Sequence, residues 1–156
     1  MDEEILIKAI QKSYNSINFT ERYRKIMEQY NDFNNRMHKV DKNEILKTLK
    51  HLGYNFKIFS PGQEFYLEES ISNFKFDFSF NSKNGIMQIY ISIYFNNIKV
   101  KYQENFAFIY RALMGDMNLN TTAPKFKTYD EFKEIINSLL KIYEDFKNEF
   151  LKRMNE

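Results

Sequence analysis

The stretch that decides the fold is Phe74-Lys75-Phe76-Asp77-Phe78-Ser79-Phe80-Asn81-Ser82-Lys83-Asn84-Gly85-Ile86-Met87-Gln88-Ile89-Tyr90-Ile91-Ser92-Ile93-Tyr94-Phe95. Apolar and polar residues alternate on both sides of Asn84-Gly85, the dipeptide that most strongly signals a two-residue hairpin turn, because both turn positions require positive φ. Folding the chain about that turn sets Phe80 opposite Ile89, Phe78 opposite Ile91, Phe76 opposite Ile93 and Phe74 opposite Phe95. Every pair on this face is apolar. The other face pairs Lys75 with Tyr94, Asp77 with Ser92 and Ser79 with Tyr90. A second turn at Asn96-Asn97 sets Phe95 opposite Ile98, Ile93 opposite Val100 and Ile91 opposite Tyr102, and keeps the same face apolar. A slip of one residue would turn a whole strand over. Two independent turns that agree on one greasy face therefore define the register.

Upstream, a turn around Ser60-Pro61-Gly62-Gln63 sets Phe56 opposite Leu67 and Ile58 opposite Phe65. The expected sheet is an antiparallel meander of about five strands, near 55–59, 64–68, 73–82, 86–96 and 98–103. One face needs a cover of helices and the other stands open to solvent.

Helices flank the meander. Capping-box spacing, an Asn, Asp or Thr followed three residues later by Glu, marks starts at Asn18, Asp41 and Thr128. Gly53 and Gly115 mark stops. The first helix carries Ile5, Ile10, Tyr14 and Ile17, and the second Tyr23, Ile26, Tyr30, Phe33 and Met37. The last carries Phe132, Ile136, Leu139, Tyr143, Phe146 and Phe150 at helical spacing over about 26 residues, roughly 40 Å. That stripe packs on the sheet or, alternatively, seams a homodimer. The longest loop is Asp116–Lys127. The whole chain, 1–156, reads as a single two-layer α+β domain in the order ααα-βββββ-αα.

Composition narrows the function. With 23 Lys+Arg against 21 Asp+Glu, the net charge of +2 lacks the basic excess of a dedicated nucleic-acid binder. The absence of Cys removes disulfides, zinc knuckles and thiol nucleophiles, and fits a reducing compartment. Met1-Asp2-Glu3-Glu4 is acidic where a secretory leader would be basic, and no run approaches the ~20 apolar residues of a membrane span. The expected location is therefore the cytoplasm. His38 and His51 read as helix-end residues, and His38 with Asp41 or Glu44 is too thin a set for a metal. Of the carboxylate pairs, Asp130-Glu131 suits a helix N-terminus, and Glu68-Glu69 is expected in a solvated loop between the second and third strands. All four glycines are taken by helix ends and turns, which leaves none for a phosphate-cradling loop. No cofactor, metal or catalytic constellation is expected.

What remains is surface. The open face is expected to present Lys57, Tyr66, Lys75, Asp77, Tyr90, Ser92, Tyr94, Lys99 and Lys101, with Lys99 and Lys101 guarding the last edge. Tyrosines suit a binding face, although plain strand propensity also favours them.

The stretch Asn105-Phe106-Ala107-Phe108-Ile109-Tyr110-Arg111-Ala112-Leu113-Met114-Gly115, then Ala123-Pro124-Lys125-Phe126 and the helix begun by Thr128, resembles the C-terminal half of several bacterial immunity proteins of polymorphic-toxin and contact-dependent inhibition systems. The resemblance implies a cytoplasmic protein, monomeric or homodimeric, that occludes the active site of a cognate toxin domain. Type III secretion chaperones also set helices on an antiparallel sheet, but their acidity is missing here. Candidate contacts are the open face, the Glu68-Glu69 turn and the Asp116–Lys127 loop. The alternative reading is nucleic-acid binding, with bases stacked on Tyr90 and Tyr94 and phosphates met by Lys75, Lys99 and Lys101.

Overall fold

The alternating phenylalanines form a strand buried on one face along its full length. In the computed structural model, which describes residues 1–59 and 64–155, the elements run α1 (Glu3–Ser16), α2 (Phe19–Gln29), α3 (Lys42–His51), β1 (Lys57–Phe59), β2 (Glu64–Ile71), β3 (Phe74–Asn81), β4 (Gln88–Phe95), β5 (Ile98–Lys99), α4 (Phe106–Met114) and α5 (Tyr129–Met154). The strands pair antiparallel in sequence order, β1-β2-β3-β4-β5. The fold is α+β, with its helices packed on one face of the sheet.

The β3–β4 register is the one the turn predicts, from Phe74 opposite Phe95 to Phe80 opposite Ile89. Asn84 (φ 57°) and Gly85 (φ 74°) both take left-handed backbone, and Ile86 N–H donates to Lys83 C=O at 3.2 Å. Asn96 and Asn97 repeat this geometry (φ 49° and 66°) and set Phe95 opposite Ile98. The β1–β2 pairing places Ile58 opposite Phe65, also as expected. The turn expected at Ser60–Gln63 lies outside the described residues.

α5 runs antiparallel to β3. Phe132 meets Phe80, Tyr143 meets Phe78, and Phe150 meets both Phe76 and Phe74, with ring centroids 5.0–5.9 Å apart. Burying a side chain of this size is worth about 1.5–3 kcal/mol, so this row supplies much of the core. Ile135, Leu140 and Ile142 are buried as well, and α1, α2 and α3 pack against α5. The apolar stripe is therefore consumed within one chain.

Several expectations are corrected. Asn18 does not cap: it is left-handed (φ 57°), and its side chain makes no cap bond. α2 stops at Gln29, short of Phe33 and Met37, and Phe33 is exposed under the Arg36 guanidinium. Ile5 is 53% exposed, because α1 turns Leu6, Ala9, Ile10 and Tyr14 inward instead. β5 ends at Lys99 rather than 103. Val100 N–H still donates to Ile93 C=O, but Ile91 N–H then bonds Glu104 C=O, so the chain bulges by two residues and Tyr102 is not opposite Ile91. β2 continues to Ile71 and turns at Ser72-Asn73, where Ser72 takes φ 56°. Neither turn residue is a glycine, which is why the sequence did not announce this hairpin.

The Asp116–Lys127 segment is not a free loop throughout. Its end, Pro124–Phe126, is stitched to the hairpin tip by Met87 N–H to Pro124 C=O (2.8 Å) and Phe126 N–H to Gly85 C=O (3.0 Å). It is also tied to Tyr30 and Met37 by two bonds of 2.8 Å. A Cβ on Gly85 would lie 2.6 Å from Met37 O, 2.9 Å from Met37 N and 3.1 Å from Phe126 O, all backbone atoms. At Gly115, which shares the left-handed φ, a Cβ would meet nothing within 4 Å. Gly115→Ala is therefore expected to cost only the left-handed strain, about 1–2 kcal/mol. Gly85→Ala adds displacement of backbone and should exceed it by at least about 2 kcal/mol, as read by urea denaturation of both variants. Equal losses would show that the stitch yields freely.

Candidate functional site

Strand pairing sorts the side chains of the sheet by face. Phe65, Leu67, Glu69 and Ile71 of β2 share the helix-covered side with the phenylalanines of β3. Tyr66, Glu68 and Ser70 share the open side with Lys75, Asp77 and Ser79. Tyr90, Ser92, Tyr94 and Lys99 extend the open face across β4 and β5. Lys57 and Phe59 of β1, with Glu64, complete it at the other end. Among the described residues, the aromatic contacts between helices and β3 all fall on the opposite, phenylalanine side.

The structure thus brings together Tyr66, Lys75, Asp77, Tyr90, Tyr94 and Lys99, as anticipated, and adds Glu68, which was expected in a loop. Three other candidates lie off this face. Glu69 points to the covered face. Lys101 lies beyond the ladder, where its N–H reaches Glu3 Oε2 at 3.4 Å. Asp116 sits after α4 and accepts a hydrogen bond from Asn118 N–H. Glu68-Glu69 is no turn at all: both residues are mid-strand, and the alternation of the strand sends them to opposite sides. Phe59 and Glu64 were missed, although the Ile58–Phe65 pairing already puts them opposite each other on the open face.

The two ends of the face differ in how their charges are paired. At the β4–β5 end the cations are engaged. Lys75 Nζ lies 4.2 Å from the centroid of the Tyr94 ring, and Lys99 Nζ is 2.5 Å from Glu104 Oε1. At the β1–β3 end, Glu64, Glu68 and Asp77 form no ion pair among the described residues. Glu68 is directly opposite Asp77, a like-charge pair that opposes sheet formation. Asp77 Oδ1 is closed off from solvent and receives no hydrogen bond. Burial, then the charges of Glu68 and Glu64, push the Asp77 carboxyl above the usual aspartate range. These carboxylates line an open depression of about 380 Å³, with Phe59 (62% exposed), Tyr66 and Ser79 as its remaining walls.

Glu69 has a different role. Its Oε1 accepts from Tyr143 Oη at 2.5 Å and from Lys147 Nζ at 2.8 Å, and Lys147 also pairs with Glu144 at 2.9 Å. Lys147 is 5% exposed. Burial alone would raise the Glu69 carboxyl, but the bonds from Lys147 and Tyr143 hold it below the ordinary glutamate range. Burial likewise disfavours the Lys147 ammonium, and the two glutamates more than offset this and raise its pKa. The cluster fastens the C-terminal half of α5 to β2.

Two larger depressions lie on the helical side. The trough between α3 and α5 sets Lys47 and Lys133 beside Glu44 and Asp130, and in the trough between α2 and α5 Arg22 pairs with Asp145 at 3.0 Å. Both are open and mixed in charge. Among the described residues no group of three or more His, Asp or Glu side chains is placed to hold a metal, and no helix is long and apolar enough to cross a membrane. Comparison with protein-family models, with curated proteins and with solved structures returns no match.

Two outcomes test this electrostatic map. Lys147→Met should destabilise by roughly 1–3 kcal/mol, below the loss for a fully buried pair because its partners are one-third exposed. The Glu69 contribution is complete above the ordinary glutamate pKa and disappears as pH falls through the lowered folded value. Lys147→Met should therefore flatten the acid limb of a stability–pH curve. Asp77→Asn has the opposite sign. The folded-state pKa of Asp77 is raised, so its ionised form works against folding at neutral pH. The variant should be more stable than the parent by up to about 1 kcal/mol, with the gap closing as Asp77 protonates in acid. A loss of stability in Asp77→Asn at neutral pH would contradict the map.

Proposed function

We propose that this chain is a protein-binding protein whose contact surface is the open face of its sheet. We further propose that it acts as a cytoplasmic immunity protein, covering the active cleft of a cognate toxin domain. One observation carries the reading: helices cover one face of the five-stranded sheet, while the other presents a field of tyrosines and charges, with three carboxylates that form no ion pair among the described residues. Tyrosines give large contact area at small entropic loss. Carboxylates without ion pairs suit a basic cleft, such as those that bind nucleic acid or phosphate in toxin enzymes, and speed association with it. The choice of a toxin as the partner comes from the resemblance of Asn105–Gly115 and Ala123–Phe126 to immunity proteins. On this reading the chain has no catalytic residues of its own. Nucleic-acid binding is less well supported, because Lys75 and Lys99 are already engaged by Tyr94 and Glu104.

The test is capture from the native host on the tagged chain, in parallel with Tyr90→Ala/Tyr94→Ala. The expected result is one stoichiometric protein partner that survives high salt on the parent, falls at least tenfold on the double variant, and loses its enzymatic activity when the chain is added in a 1:1 ratio. Recovery of nucleic acid that washes off with salt would overturn the reading.

A further inference from the structure

The sheet has one long unpaired edge. β1 pairs with β2 only over Glu64–Tyr66, and from Leu67 to Ile71 no backbone or side-chain group of the described residues hydrogen-bonds to β2 from the β1 side. Glu68, Ser70 and Ile71 on this stretch are exposed. The opposite edge is much shorter, since β5 has two residues before the chain bulges. An unpaired strand edge is a row of backbone donors and acceptors that an added strand satisfies.

The charges on the stretch select what can be added. A second copy of the chain, pairing Leu67–Ile71 antiparallel to itself about Glu69, would set Glu69 directly opposite its own copy and Glu68 diagonal to its own, which is unfavourable. A strand with a basic side chain on the open side would instead stand next to Glu68, at the 4.5–5.5 Å of direct cross-strand neighbours. From there a guanidinium can reach the depression walled by Phe59, Tyr66 and Asp77. It would supply a positive charge to the opposed Glu68–Asp77 pair and a planar group to the aromatic walls. The inward-facing Glu69 is already held by Lys147 and Tyr143, so it does not obstruct pairing.

We propose that the free edge of β2, Leu67–Ile71, takes up an extended segment of the partner protein as a sixth strand, with an arginine of that segment seated over Glu68 and Asp77. The proposal rests on the open-face reading of the function and names the chemistry of the partner at that face.

The probe is the blocked peptide acetyl-Thr-Arg-Val-Arg-Val-Arg-Thr-amide, titrated into the ¹⁵N-labelled full chain. Amide shifts should concentrate on Leu67–Ile71 and Asp77, and the amides of Leu67–Ile71 that face outward should gain protection from hydrogen exchange. Replacing arginine by citrulline, which removes the charge and keeps the shape, should weaken binding at least tenfold. So should Glu68→Gln and Asp77→Asn in the protein, both of which are expected to stay folded. Glu21→Gln on α2 removes one negative charge away from the sheet and should leave affinity within twofold. A backbone N-methylated peptide should not bind. The proposal is overturned if the citrulline or N-methylated peptide binds as well as the parent. It is also overturned if the shifts fall on Tyr90 and Tyr94 instead, if the edge amides gain no protection, or if no shift appears at all. The capture experiment with Tyr90→Ala/Tyr94→Ala reports independently, so the edge assignment can fail while the open-face reading stands.

Discussion

The packing of the phenylalanine row of β3 against α5 is the constraint on which the rest of the structure depends. Four phenylalanines at alternate positions stand on one side of a strand, and a 26-residue helix lies along them. Three of the rings also make an edge, tilted or stacked contact with further aromatics: Phe80 with Phe65, Phe78 with Phe56 and Phe106, Phe74 with Phe95. Because the side chains alternate, the commitment of this face to the core commits the other face to solvent. The remaining helices then gather on the side where α5 lies, with Tyr14 stacked on Phe146 and Tyr23 edge-on to Phe106.

That asymmetry leaves one face of ordinary strands available to the proposed partner. A sheet covered on both faces would have to bury Asp77, Lys75 and Lys99 or replace them. Covered on one face only, it can carry an opposed carboxylate pair and an acid oxygen without a donor, features that oppose folding slightly and that a cationic partner would relieve. Local disagreement with the rules of packing is expected where a surface is shaped for recognition rather than for folding.

Glu69 shows how narrow the boundary between the two faces is. It is one residue from Glu68 and chemically identical to it, yet it is tied to Lys147 and Tyr143 and holds α5 on the sheet. Glu68 faces solvent and has no cation partner among the described residues.

The sequence by itself determined the class of fold, the β3–β4 and β4–β5 registers up to Val100, the helix ends at Gly53 and Gly115, and the length and buried stripe of α5. Those features rest on local periodicity and on turns whose residues announce their backbone. It also identified most of the open face, since two-residue periodicity assigns sides once a register is known. Only the tertiary structure decided the β2–β3 hairpin, closed by Ser72-Asn73 without a glycine, and hence the placement of Glu68 and Glu69 on opposite faces. Only it decided the bulge after Val100, the exposure of Ile5 and Phe33, and the stitching of Pro124–Phe126 to the hairpin tip. Each of these depends on which distant backbone groups and apolar surfaces meet, and no local pattern encodes a meeting of residues tens of positions apart.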